Sequence, residues 1–159
     1  MQQKVEALAL ILEDIFSEHN ISPDEVLKAL STRTKEVIPL SAFSNSKLSA
    51  LEIIVKYLKE DKEKKYSEIA RLLNRNDRTI WSTYNNAKKK QSEPLSIKKK
   101  QPKDQIFVPV SIFSSRKTSV LESLVIYLKN LNYSFSQIAE FLKKDYQTIY
   151  TSYRRGGLK

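Results

Sequence analysis

Apolar residues recur at helical spacing in several separate stretches of the chain. Val5, Leu8, Ile11, Leu12, Ile15 and Phe16 form one broad stripe, Leu51, Ile54, Val55 and Leu58 a second, and Leu121, Leu124, Val125 and Leu128 a third. Each is the pattern of an amphipathic helix. Ser49 with Glu52 and Ser119 with Glu122 stand at capping-box spacing ahead of the second and third stripes, and the same motif, Ser22 with Glu25, opens a short helix with Pro23 at its first position and Ile21 set to staple onto Val26. After a polar break, Ser67 is expected to cap a short helix through Ile69, Ala70, Leu72 and Leu73. Asn74-Arg75-Asn76 is too polar to continue that core face, and Asn74 tolerates the left-handed backbone of a tight turn. Asn76 then suits the N-cap of a third helix, from Asp77 to about Lys88. Its spacing predicts Ile80, Trp81 and Tyr84 on the buried side, with Arg78, Ser82 and Asn85 outward.

The whole unit occurs twice. Val37 to Lys59 matches Phe107 to Lys129 at an offset of 70, and Tyr66 to Tyr84 matches Phe135 to Tyr153 at an offset of 69. Pro39, Phe43, Leu51, Glu52, Val55, Tyr57 and Leu58 recur unchanged as Pro109, Phe113, Leu121, Glu122, Val125, Tyr127 and Leu128. Ser67, Ile69, Ala70, Leu73, Thr79, Ile80 and Tyr84 recur as Ser136, Ile138, Ala139, Leu142, Thr148, Ile149 and Tyr153. The second copy places Asp145 at the N-cap position of its third helix. The chain therefore divides into an N-terminal helical segment (1–36), a first helix-turn-helix repeat (37–88), a basic linker (89–105) and a second repeat (106–159). The linker, rich in lysine and broken by Pro94 and Pro102, spans roughly 60 Å when extended at ~3.3 to 3.6 Å per residue. A span of that length is expected to let both copies reach one extended partner. The N-terminal segment is too small to bury its own apolar stripe and is expected to dock on a repeat or to form a homodimer.

Composition agrees with an all-α fold: 2 glycines and 5 prolines in 159 residues, with 40% hydrophobic and 29% charged side chains. There is no Cys and a single His, His19, which leaves little basis for a metal site or a cofactor. The apolar run Ala7 to Leu12 is far shorter than the ~20 residues that cross a bilayer, so no membrane association is expected. A cytoplasmic, nucleoid-associated location is expected instead. The net charge of +10 is unevenly distributed: residues 1–36 carry 4 basic and 7 acidic groups, residues 88–105 carry 7 and 2, and residues 106–159 carry 8 and 3. A field of this kind attracts a polyanion and releases its counterions.

The run Ser67-Glu68-Ile69-Ala70-Arg71-Leu72-Leu73-Asn74, followed by Asn76 and Thr79-Ile80, resembles the E-I-A-x-x-L-G-x-S-x-x-T-V pattern of bacterial helix-turn-helix proteins, particularly region 4 of sigma factors. Gln137-Ile138-Ala139-Glu140-Phe141-Leu142-Lys143 with Thr148-Ile149 is a looser second instance. The pattern's turn glycine is replaced by Asn74 and Lys143. The resemblance implies that the third helix of each repeat enters the major groove, and it raises contact with RNA polymerase as a further expectation. Carried over position by position, the DNA-binding residues are Arg75, Asp77, Arg78, Ser82 and Asn85 in the first copy and Lys144, Tyr146, Gln147, Thr151 and Arg154 in the second. Arg78 is suited to guanine, and Gln147 or Asn85 to adenine. Lys88, Lys89, Lys90, Arg155 and Lys159 are placed to grip phosphates. Trp81, Tyr84, Tyr150 and Tyr153 are expected in the core.

These readings make the chain a sequence-specific binder of double-stranded DNA, probing two unlike half-sites and regulating transcription. No enzyme is expected, because no carboxylate pair, glycine-rich phosphate loop or nucleophile–histidine pairing stands out. Two alternatives remain open on sequence grounds: an adaptor whose helix-turn-helix units bind protein, and an accessory factor in replication or partitioning. Structured RNA is less favoured, since its deep, narrow groove does not admit a helix. No small-molecule ligand is evident.

Overall fold

The computed structural model describes Ser22, residues 36–95 and residues 106–157, and Glu36–Lys159 forms one compact unit. The N-terminal stripe, Glu25 of the capping box after it, the linker residues 96–105 and Lys159 lie outside the described residues. In the first repeat, strand β1 (Val37–Pro39) and a 3-10 turn, η1 (Leu40–Ser44), precede helices α1 (Ala50–Glu60), α2 (Tyr66–Leu72) and α3 (Asp77–Lys90). The second repeats this order with β2 (Phe107–Pro109), η2 (Val110–Phe113), α4 (Val120–Asn130), α5 (Phe135–Leu142) and α6 (Tyr146–Gly157). The helices form two internally packed triads, α1 to α3 and α4 to α6.

Local chemistry accounts for the helix starts. Ser49 and Ser119 each accept a backbone N–H from the glutamate three residues on, and Glu52 and Glu122 reach back to the serine N–H at 2.7 and 2.9 Å. Asn76 Oδ1 accepts from Arg78 N at 2.8 Å, and Asp145 Oδ1 from Thr148 N at 2.8 Å, so both third helices are capped as their sequences imply. Asn74 (φ 50°) and Lys143 (φ 49°) take the left-handed conformation at the inter-helix turns. One start differs from expectation: α2 begins at Tyr66, so Ser67 lies inside the helix and does not cap it. The Tyr66 ring packs against Tyr84 and beneath Lys59 Nζ, and the start lies two residues earlier, with Lys65 at the N-cap position. In α5 the cap is Ser134, in reciprocal bonds with Gln137.

The all-α expectation holds for the triads but misses a two-stranded ribbon. β1 and β2 pair antiparallel, with Val37 opposite Pro109, Ile38 opposite Val108 and Pro39 opposite Phe107. At the repeat offset of 70, Ile38 and Val108 are equivalent residues facing each other, and the flanking pairs exchange places. The hydrogen bonds obey the same relation: Leu40 N to Ile106 O at 2.8 Å matches Val110 N to Glu36 O at 2.9 Å. So do the rings of Phe43 and Phe113, 6.0 Å apart. The ribbon and the phenylalanine pair at the boundary thus have a local two-fold axis, as in an isologous dimer. Ile38, Val108, Phe43, Phe113, Ile54 and Leu124 belong to one continuous apolar core, and α5 packs on η1 of the other repeat. The distance between repeats is therefore set by packing and not by the reach of the linker.

Candidate nucleic-acid interface

On α3 the buried residues are Ile80 and Ala87, with Tyr84 partly covered between them. This is a narrow stripe at i, i+4 and i+7. Trp81 lies about 100° around the helix from Ile80 and is 55% exposed, and its equivalent Tyr150 on α6 is 38% exposed. The expectation that both are core is corrected: α3 meets its neighbours along one side only, which Ile80, Tyr84 and Ala87 fill. Tyr84 and Tyr153 do pack against the core.

Exposed Trp81 lines one shallow surface with Ser82, Asn85, Lys88 and Lys89, and a second with Tyr66, Asp77 and Arg78. The outward residues of the first repeat thus form one continuous face around a tryptophan. Lys88 and Lys89 are helical, since α3 runs to Lys90, two residues beyond the expected end. Lys90 points elsewhere. Its Nζ contacts both Glu52 carboxylate oxygens, at 2.8 and 3.0 Å, and ties the end of α3 to the start of α1. Burial pushes the Glu52 carboxyl up, but hydrogen bonds from Lys90 and from the Ser49 backbone and hydroxyl outweigh it, leaving the pKa below its usual value.

In the second repeat Tyr146, Gln147, Arg154 and Arg155 are exposed, and Thr151, like Ser82, is half-buried. Tyr146 and Tyr150 stack with ring centroids 6.3 Å apart and planes 9° from parallel. Phe135 meets both edge-on at 6.1 and 5.5 Å, so the aromatic face of α6 is braced from α5. Lys144 is half-buried and lines a small cavity with Phe43, Asn45 and Leu48 of the first repeat, away from that face. Arg75, its equivalent, is likewise half-buried at the repeat boundary, beside Arg116. Burial, and then the Arg116 charge, lower the Arg75 pKa.

Two groups escaped the sequence reading. Trp81 and Tyr150 share a repeat position, and a three-residue stripe needs no fourth large apolar residue. Arg116 lies in a Ser-rich loop with no helical pattern, and its partner Asn74 is 42 residues away. Among the described residues no group of His, Cys, Asp or Glu could hold a metal ion, and no helix is long and apolar enough to cross a membrane. No protein-family model, curated protein or solved structure matches this chain at a significant level.

Proposed function

We propose that the chain is a sequence-specific double-stranded DNA-binding protein that regulates transcription by reading two unlike half-sites with α3 and α6. The observation that supports the reading is that each repeat carries a capped third helix behind a left-handed turn residue, and that the two repeats are joined by a ribbon of local two-fold symmetry. A DNA duplex has two-fold axes of its own, and paired helix-turn-helix units exploit them by placing one helix in each of two successive major grooves. The match favours half-sites in inverted orientation. The reading positions differ between copies, with Asp77, Arg78, Ser82 and Asn85 against Tyr146, Gln147, Thr151 and Arg154, so the halves of the target are unlike. Arg78 is the guanine reader of the first half, and exposed Trp81 beside it offers an apolar surface to a thymine methyl.

Selection of bound duplexes from a random pool tests this reading. The expected product is an imperfect inverted repeat, and a perfect palindrome or a direct repeat would sink the proposal. Trp81 is the single tryptophan, so its fluorescence reports occupancy directly. Arg78→Ala is expected to weaken the selected site by about 1–3 kcal/mol and to relax one position of one half-site. Steep weakening with salt is expected of DNA binding; a salt-insensitive association with protein would favour the adaptor reading instead.

A further inference from the structure

Three arginines converge where the turn of the first repeat meets the second repeat. Arg71 in the last turn of α2, Arg75 in the turn itself and Arg116 in the loop between η2 and α4 line one open groove, with Ser67, Ala70, Asn74, Asn76 and Asp77. Arg116 is tethered across the boundary, its Nη1 donating to the Asn74 carbonyl at 3.3 Å. Among the described residues none of the three arginines forms an ion pair, although the Asp77 carboxylate lines the same groove. Arg75 Nε is buried without a hydrogen-bond partner. Like charges gathered at a partly desolvated boundary repel one another, and an anion placed among them removes that cost. Guanidinium groups offer planar paired donors that fit phosphate oxygens.

We propose that this groove binds a backbone phosphate of the DNA, through Arg116 of the second repeat together with Arg71 and Arg75 of the first. The assignment rests on the DNA-binding reading above and adds a site to it. The groove shares Asp77 with the surface formed by Arg78 and Trp81, so a strand followed from the reading face passes over the arginines. The two-fold partner of the groove lacks the chemistry. At the equivalent positions stand Glu140 for Arg71, Lys144 for Arg75 and Ser46 for Arg116. The pseudo-symmetric molecule therefore carries one phosphate clamp and not two. The clamp grips one side of the target and gives the complex a polarity that the two-fold axis would otherwise erase.

The test uses the full chain and the selected duplex, with affinity followed by Trp81 fluorescence across a salt series, for the wild type, Arg116→Ser and Arg116→Lys. Arg116→Ser installs the residue that the first repeat has at this place. Because Arg116 is exposed, the variant is expected to keep its circular dichroism spectrum and melting midpoint. The expected result is a loss of about 3- to 10-fold in affinity at 0.1 M salt and a shallower slope of log K against log salt, by about 0.9, the value for one phosphate contact. Arg116→Lys should restore the slope but only part of the affinity. Equal affinity and slope in wild type and Arg116→Ser would overturn the clamp while leaving the DNA-binding reading intact. Free inorganic phosphate raising the wild-type melting midpoint but not that of Arg116→Ser, with unchanged duplex binding, would also overturn it, in favour of a small-anion site. A wild-type protein that binds no duplex at any salt concentration would overturn both readings.

Discussion

The two repeats share their backbone devices and differ in how they fill the space between helices. Glu63 and Asn132 both take left-handed φ, at 51° and 66°, in the loop after the first helix of each triad. Lys59 Nζ donates to the Lys64 carbonyl at 3.2 Å, and Lys129 Nζ to that of Tyr133 at 2.9 Å. The same ammonium groups sit over Tyr66 and Phe135. The interiors then part. The first repeat holds Lys56, fully buried, against Glu60 at 2.7 Å, with the Tyr84 hydroxyl donating to the same carboxylate oxygen at 3.1 Å. The second has Ile126 and Asn130 at those places, and its Tyr153 joins Phe135 in an aromatic cluster at 5.3 Å. Turn and cap positions keep one backbone geometry in both copies even where the residue changes, as from Asn74 to Lys143, whereas an interhelical space accepts either an ion pair or hydrocarbon of similar volume.

The sharpest way to break this comparison is to remove one half of the buried pair. Glu60→Ala leaves the Lys56 ammonium buried without its carboxylate, and a loss of about 2–4 kcal/mol is expected, less than for a wholly buried pair because Glu60 is partly exposed. Asn130→Ala at the equivalent place should cost under about 0.5 kcal/mol. Lys56→Ile with Glu60→Asn, which imports the second repeat's solution, should return the protein to wild-type stability or above. Urea denaturation midpoints decide among these. An unchanged midpoint for Glu60→Ala would mean that the Lys56 charge is met elsewhere, and the contrast between the interiors would fall.

Much of this organisation was legible in the sequence because it is local. The capping boxes, the Asn76 and Asp145 caps and the Asn74 turn each follow from a few neighbouring residues. The repeat itself is visible as a fixed offset. What stayed hidden depends on partners far along the chain. Val37–Pro39 and Phe107–Pro109 are too short to show alternation and pair across 70 residues, so neither reads as a strand. Lys56 looks like one more charge on a helix surface until α1 is seen buried from Glu52 through Leu58. Trp81 reads as core by its spacing from Ile80 and Tyr84 and is turned outward because α3 packs along one narrow stripe. The face around Trp81 was partly foreseen through Arg78, Ser82 and Asn85, but the arginine groove was foreseen only in Arg75, since Arg116 reaches it from the other repeat.

The turns allow a finer comparison. Asn74 and Lys143 hold almost the same left-handed φ, yet asparagine tolerates that region far better than lysine, whose Cβ crowds the backbone there. Lys143→Gly is therefore expected to stabilise the chain by about 0.5–1 kcal/mol, and Asn74→Gly by less, since glycine removes the crowding at some entropic cost. Thermal midpoints measured side by side check the order. A larger gain at Asn74 would show that the backbone strain is not where the φ angles place it.

The smallest expected effect concerns pH and the tie between α1 and α3. The Glu52 pKa is lower in the folded chain than its ordinary value, chiefly through Lys90 and Ser49 acting against burial. A depressed carboxylate contributes stability above its unfolded pKa and loses it as pH falls through the folded one. Lys90 is half exposed, so solvent screens the pair and holds the contribution to about 1 kcal/mol or less. Glu52→Gln keeps an acceptor for the Ser49 N–H, as capping boxes with glutamine do, and removes only the charge. Wild type should exceed the variant in stability at pH 7, and the difference should shrink as pH falls below the usual carboxylate range. A difference that persists unchanged at pH 3 would assign the effect to the cap and not to the ion pair with Lys90.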